Sequence, residues 1–333
     1  MTTMTVRFWG VRGSHPVSGP EYLKYGGNTL CVEVEANGHT IILDAGTGII
    51  NLGKSLNARA KASGKPIDVT ILFSHMHHDH TQGFPFFTPA YRGDTNMHIF
   101  GPGIFERDLE ETLAKTMLPP VFPVSMAELP AQKIVSSIRE TDVLLLSEAV
   151  GGAMLRNRFH DNLSDIDENM IVIKALRSYA HPDGVLVYRI EWQGMSVVYA
   201  TDTEGYINGD QRLAQFAQGA DVLIHDAQYT EEHYLGKAPG FGSTQGWGHS
   251  TATMACDVAK SAKVGTLVLF HHEPTYGDDV IETIENHAKS MFAGAVAARE
   301  GLELVLNQPQ PEGASVADAS TAVTEPLSSD VAS

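Results

Sequence analysis

Cysteine is nearly absent from this 333-residue chain: Cys31 and Cys256 are its only two, far apart and without CxxC spacing. That excludes a disulfide framework and a cysteine zinc site, and leaves both residues expected as buried thiols. Basic residues are also scarce, with 23 Lys and Arg against 40 Asp and Glu, a formal net charge of −17. Sequence-independent capture of DNA or RNA needs cations to replace phosphate counterions, so that class is disfavoured and only a local basic pocket stays open. No apolar run approaches the length of a membrane helix, and the first residues lack the basic and apolar regions of a signal peptide. A soluble cytoplasmic protein without membrane attachment is the expectation. Charged residues make up only 19% and glycines number 31, which argues against a long charged helix and for glycine-punctuated strands and turns. What the chain does have is 43% hydrophobic residues, enough for a real core, and fifteen histidines.

Alternating patterns predict strands over residues 5–9, 29–36 and 40–43, with Asn37-Gly38 as a hairpin turn. A helix entry is expected over 46–56, an apolar strand over 69–73, and a polar loop over 74–83. Between Gly101 and Ala180 the pattern is less regular. This stretch holds a helical segment near 105–117, a Pro-rich break and an acidic portion at 161–169. It reads as an insertion or cap that gates a site or mediates homodimer formation. Strands return over 184–192, 195–200, 221–225 and 266–270, and a helix is expected over 250–262. Residues 1–307 are therefore taken as one domain. The remainder, 308–333, holds four acids and no basic residue, a composition that predicts a disordered acidic tail.

The strongest chemical signal is His75-Met76-His77-His78-Asp79-His80, where an apolar strand runs into a loop. Neutral imidazoles and carboxylates are ligands of catalytic zinc, and alternate side chains of an extended stretch share a face. His75 and His77 can thus grip one ion while Asp79 and His80 turn towards a second.

These residues form an uninterrupted HxHxDH and resemble the hallmark of the metallo-β-lactamase superfamily. The resemblance covers roughly residues 5–305. It implies an αββα sandwich of two mixed β-sheets flanked by helices, with two divalent ions, zinc or alternatively manganese, among strand-end loops. It also implies a further His, a bridging Asp and a late His as ligands. The matching positions are His181 in Tyr-Ala-His-Pro, Asp202 after an apolar strand, and His271 after Leu-Val-Leu-Phe, with His272 as the competitor for the last role.

A His at position 77, where iron-dependent oxygen-reducing members carry Glu, favours hydrolysis over redox chemistry. Asp226, at the end of Val-Leu-Ile-His-Asp, and His249, in Gly-His-Ser-Thr-Ala, resemble a pair found in ribonuclease Z and its relatives. There an acid orients a His. With Asp79 they form the expected catalytic set: His249 to protonate a leaving alkoxide, and Asp226 to orient it. Ribonuclease Z relatives that process transfer RNA carry a long Gly- and Pro-rich arm. The acidic second half of 101–180 argues against so large a substrate, and the 21-residue step from His181 to Asp202 resembles compact phosphodiesterases of small cyclic phosphates. Phe8-Trp-Gly-Val-Arg-Gly-Ser14 and Tyr25-Gly-Gly-Asn-Thr29 also look like a bacterial group of uncharacterised metallo-hydrolases, with Asn28 and Thr29 serving turn chemistry or donating hydrogen bonds to the site. The expected function is hydrolysis of a small, cyclic nucleotide or related phosphodiester, without double-stranded nucleic acid as partner. The alternatives are lactone, thioester or β-lactam hydrolysis, ribonuclease Z-like cleavage of RNA, and a non-catalytic metal-stabilised regulatory module.

Overall fold

The structure is a computed structural model that describes residues 2–103, 109–148, 152–205, 209–240, 242–308 and 322–324. Strand β1 (Thr3–Gly10) alternates outward and inward, burying Met4, Val6 and Phe8. Its neighbours β2 (Cys31–Ala36) and β3 (His39–Leu43) form a hairpin, and Asn37 and Gly38 both take positive φ (47° and 77°), as its two-residue turn requires. Helix α1 (Gly48–Ser63) buries Ile49, Leu52, Leu56 and Ala60, one stripe at helical spacing. It runs about two turns beyond the expected end and stops at Gly64, whose left-handed φ of 67° lets its N–H reach the Ala60 carbonyl.

The chain then adds β4 (Ile67–Leu72), the short α2 (His78–Thr81), β5 (Thr95–Pro102), α3 (Leu109–Lys115) and β6 (Gln132–Ile138). Strands β3 to β6 run parallel. A second sheet is built from β7 (Asp142–Ser147), β8 (Gly152–Asn157), β9 (Ile171–Ser178), β10 (Val185–Trp192) and β11 (Met195–Ala200). After α4 (Gln211–Phe216) come β12 (Val222–Asp226), α5 (Glu231–Tyr234), α6 (Ala252–Ala262), β13 (Thr266–Phe270), α7 (Asp278–Met291) and β14 (Ala295–Ala297). Finally β15 (Glu303–Asn307) returns to pair with β1, and β16 (Ala322–Thr324) pairs with β15.

Two eight-stranded mixed sheets result. Their facing sides share one core in which Phe8, Leu43, Tyr188, Val197 and Phe270 meet. Helix α1 covers the outer face of the first sheet through Leu52 and Leu56, and α6 and α7 cover the second through Val258, Ala259 and Ile281. This is the expected αββα sandwich.

The cap reading of Gly101–Ala180 needs correction. The stretch finishes β5 and supplies β6 to the first sheet and β7, β8 and β9 to the second. Its irregular appearance has a physical cause: β6 and β8 are edge strands, half-buried along most of their length, so they lack the apolar density of central strands. Residues 104–108 of the expected helix near 105–117 lie outside the described residues. So does most of the acidic tail over 308–333, of which Ala322–Thr324 form a strand. Cys31 and Cys256 are buried free thiols.

Candidate metal centre

Parallel strands joined by crossover helices bring their carboxyl ends to one edge, the usual place for a ligand site in such sheets. Asp44 follows β3, Ser74 and His75 follow β4, Asp202 follows β11, Asp226 ends β12 and His271 follows β13. Asp44, Asp202 and His271 leave their strands in the left-handed region, at φ of 58°, 53° and 62°. A non-glycine residue there is strained, and such strain concentrates at functional sites.

Three groups of side chains among the described residues have potential ligand atoms within 4.8 Å of one another: His75, His77, His181 and Asp202; Asp79, His80, Asp202 and His271; and Asp202, Asp226, His249 and His271. Asp202 belongs to all three. Its carboxylate lies 3.6 Å from His75 Nε2, 3.3 Å from His80 Nε2 and 3.3 Å from His271 Nε2. His77 Nδ1 and His181 Nε2 face each other at 3.0 Å. Among the described residues, buried His75 Nε2 and His80 Nε2 have no hydrogen-bond partner. Orphaned imidazole nitrogens converging on a shared carboxylate are what a pair of divalent ions would satisfy, and the mixed nitrogen and oxygen donors suit zinc.

The charges agree with this fit. Burial opposes a proton on His80 and His271, yet Asp202 and Asp79, with Asp44 at His80 and Asp226 at His271, overcome it and push both pKa values well above the usual range. Burial also works against Asp79 and Asp202, but the surrounding imidazoles hold both well below the carboxylate range. The pocket is thus built to stabilise positive charge at its centre. At the other set, burial lowers His75 well below its ordinary value and His181 to about 4, leaving neutral rings ready to coordinate.

Hydrogen bonds to the distal ring atoms fix which nitrogen faces inward. Fully buried Asp44 accepts from His80 Nδ1 at 2.7 Å, Ser74 N–H at 2.7 Å, Ser74 Oγ at 2.8 Å and Tyr199 OH at 2.8 Å. His181 Nδ1 donates to the Gly248 carbonyl at 3.3 Å. The Ser14 N–H donates to Asp79 Oδ2 at 2.7 Å. Gly13 and Gly248 make room for the rings: a Cβ on Gly13 would lie 2.2 Å from His271 Cε1, and one on Gly248 would lie 2.1 Å from His181 Nδ1.

Asp226 and His249 meet beside the second set. His249 Nδ1 lies 2.7 Å from Asp226 Oδ2, and the His249 ring stacks on His271 at 4.7 Å between centroids. Asp226 also accepts the Ser250 N–H at 2.9 Å and lies 3.8 Å from His271 Nδ1, so one carboxylate serves both rings. His272 points elsewhere. It is buried with Nε2 2.8 Å from the Ala298 carbonyl, and burial lowers it to about 3.

All nine expected site residues, His75, His77, Asp79, His80, His181, Asp202, Asp226, His249 and His271, are therefore brought together. Asn28 and Thr29 are not among them: Asn28 Nδ2 donates to Glu300 and Thr29 Oγ1 accepts the Thr47 N–H, contacts that tie distant segments together rather than close a local turn. Sequence reasoning passed over Asp44, Gly13, Ser14 and Gly248. Asp44 carries a readable signal, an acid directly after the apolar Ile-Ile-Leu of β3.

Residues 39–272 match the model of the beta-lactamase superfamily domain. Ribonuclease Z of Thermococcus kodakarensis is 26% identical over 299 residues, covering 82% of this chain and 88% of its own. Among solved structures, the metallo-β-lactamase fold protein YhfI from Bacillus subtilis superposes with a TM-score of 0.62 at 18% identity, covering 91% of this chain and 99% of its own. A diphosphatase from the PhnP family superposes with a TM-score of 0.55 at 16% identity, covering 90% and 97%. Both show the shared fold. No helix among the described residues is long and apolar enough to cross a membrane. With its domain match spanning most of the sandwich and every hallmark side chain at one sheet edge, the chain belongs to the metallo-β-lactamase superfamily, in its ribonuclease Z-like branch, as a metal-dependent hydrolase.

Proposed function

We propose that the protein is a dinuclear phosphodiesterase acting on a small diester, a cyclic nucleotide or a related compound. His75, His77, His181 and Asp202 would hold one ion, and Asp79, His80, Asp202 and His271 the other. When bound, two divalent cations supply charge neutralisation at phosphoryl oxygens and a lowered pKa for water. The observation that carries the diester reading is the Asp226–His249 contact at 2.7 Å beside these ligands. Hydrolysis of a lactone or thioester has little need of a separate acid, whereas a departing alkoxide needs a proton. Asp226 accepts from His249 Nδ1 and so orients the ring, leaving Nε2 as the atom that would pass a proton to the departing alkoxide.

Ribonuclease Z relatives and the PhnP-family diphosphatase support phosphorus chemistry. A small substrate is favoured by the net charge of −17, which opposes accumulation of a long polyanion at the surface. The test is hydrolysis of bis(p-nitrophenyl) phosphate, 2′,3′-cyclic nucleotides and a precursor transfer RNA, with zinc or manganese and with chelator. Metal-dependent turnover of the small diesters is expected. Activity confined to the RNA would replace the small-substrate reading with a ribonuclease, and activity confined to a lactone or thioester would refute the diester reading.

A further inference from the structure

A cleft of about 1070 Å³ opens beside the metal centre, with His181 in its wall. Its lining includes Asp183 in the turn after β9, Glu204 two residues beyond Asp202, and Glu231 at the start of α5. None of the lining residues is Lys or Arg. Arg177, 5.8 Å from the centroid of the Tyr179 ring, is not part of the lining.

The three carboxylates differ. Glu204 is committed within the protein: Oε1 accepts from Tyr234 OH at 2.6 Å and Gly246 N–H at 2.8 Å, and Oε2 accepts from Gly248 N–H at 2.9 Å. Asp183 and Glu231 are exposed, and neither has a hydrogen-bonding side-chain partner or ion-pair partner among the described residues. Asp183 stands two residues beyond the ligand His181 in the same cleft wall, so the acidic side of the cleft lies close to the ligand cluster. Apolar surface from Tyr179, Pro182, Leu235 and Met254 completes the walls. Such walls suit an organic group better than a hydrated inorganic cation, which would keep its water shell.

Resting on the phosphodiesterase reading, we propose that this cleft seats one arm of the diester and selects an arm that carries positive charge, an alkylammonium, against one that carries a further phosphate or carboxylate. Two free carboxylates attract a cation and repel an anion in the same place, and apolar walls bury its alkyl portion. At separations of about 6–8 Å in a partly hydrated cleft, two such charges change binding by about tenfold per unit of arm charge. A neighbouring phosphate in a polynucleotide would meet that repulsion directly, which ties the cleft to small substrates.

Three p-nitrophenyl diesters with a common leaving group isolate the effect: the choline ester, its neutral 3,3-dimethylbutyl isostere and an anionic 3-carboxypropyl ester. With the full chain loaded with zinc or manganese, kcat/KM should fall about tenfold from choline to neutral ester and about tenfold again to the anionic one, mostly through KM. In Asp183→Asn/Glu231→Gln, each charged ester should move towards the neutral ester, used as internal reference. Free choline should compete with the neutral ester in the wild-type protein and compete more weakly in the double variant. A flat or inverted series in the wild-type protein overturns the charge selection, and a series that persists in the double variant overturns the assignment to this cleft. Failure to turn over all three, and bis(p-nitrophenyl) phosphate as well, overturns the phosphodiesterase reading instead.

Discussion

Asp44 touches no proposed ion, yet Asp44→Asn should damage the second ligand set. Its Oδ2 accepts from three donors, His80 Nδ1, Ser74 Oγ and Tyr199 OH, and its Oδ1 accepts the Ser74 N–H. Asparagine can keep the Oδ1 contact but places an amide N–H₂ where three donors converge. It also tolerates the left-handed φ of 58° at this position, so the backbone is not what the substitution tests. The Ser74 hydroxyl can turn towards His75 Nδ1 at 3.1 Å and His80 Nδ1 keeps only the Ser74 Oγ at 3.2 Å, whereas the buried Tyr199 OH has no other partner among the described residues. At about 1–3 kcal/mol for an unmet buried donor, the metal-free protein should lose at least the share of Tyr199, about 1–3 kcal/mol. When the ring is neutral, as coordination requires, His80 can avoid the conflict by moving its one proton to Nε2, which removes the lone pair needed by the ion. Loss of such a supporting contact typically lowers metal affinity about 10–100-fold. Thermal unfolding in chelator and competition with a chromophoric zinc chelator would read the two effects separately. Unchanged metal affinity together with wild-type stability would refute the claim that Asp44 sets the His80 tautomer.

Asp202→Ala should loosen both ions, since it removes the one carboxylate common to both sets; full metal content with near-normal turnover would exclude a bridge. His271→Ala should bring metal content towards one ion per chain, whereas His272→Ala should keep two and show its effect as a lower melting temperature, because His272 is packed against Ala298 and Tyr25. Gly248→Ala would place a methyl 2.1 Å from His181 Nδ1 at a φ of 92°, and should weaken the first ion selectively when metals are titrated by calorimetry. His249→Ala should keep its metals and lose about 10²–10⁴-fold on a nucleotide diester, but much less on an activated nitrophenyl diester whose leaving group needs little protonation. Equal losses on both substrates would assign His249 to binding instead.

The site residues at 75, 202, 226 and 271 were legible because each stands where a short apolar run ends, and a strand that stops at an acid or His is a local pattern; His77, Asp79 and His80 were legible through their close spacing after His75. Their supports were harder to read. Ser14 reaches Asp79 through its backbone N–H, and Gly13 and Gly248 act by having no Cβ, so their contributions carry no side-chain signature. The misread stretch, Gly101–Ala180, fails for another reason. β6 and β8 close the two sheets at their edges through backbone ladders to β5 and β7, and an edge strand shows only part of the apolar pattern that marks a central one.

The centre combines strain with buried like charges, and both must be offset by the same contacts. Asp44, Asp202 and His271 sit in left-handed backbone at about 1–2 kcal/mol each. Asp79, Asp202 and Asp226 are buried carboxylates grouped at one edge, and among the described residues their charge is opposed by imidazoles, N–H donors and the Thr201 hydroxyl. Retaining protons on His80 and His271 is the protein's own partial answer to that crowding, and two divalent cations would answer it more fully. Metal binding then relieves repulsion that folding has already built in, so the ions act on the stability of this edge as well as on its chemistry. The surrounding sandwich is what permits the arrangement. The parallel strands β3, β4, β11, β12 and β13 are anchored at their other ends by apolar packing on both faces, and their carboxyl ends are left to carry the strained and charged residues.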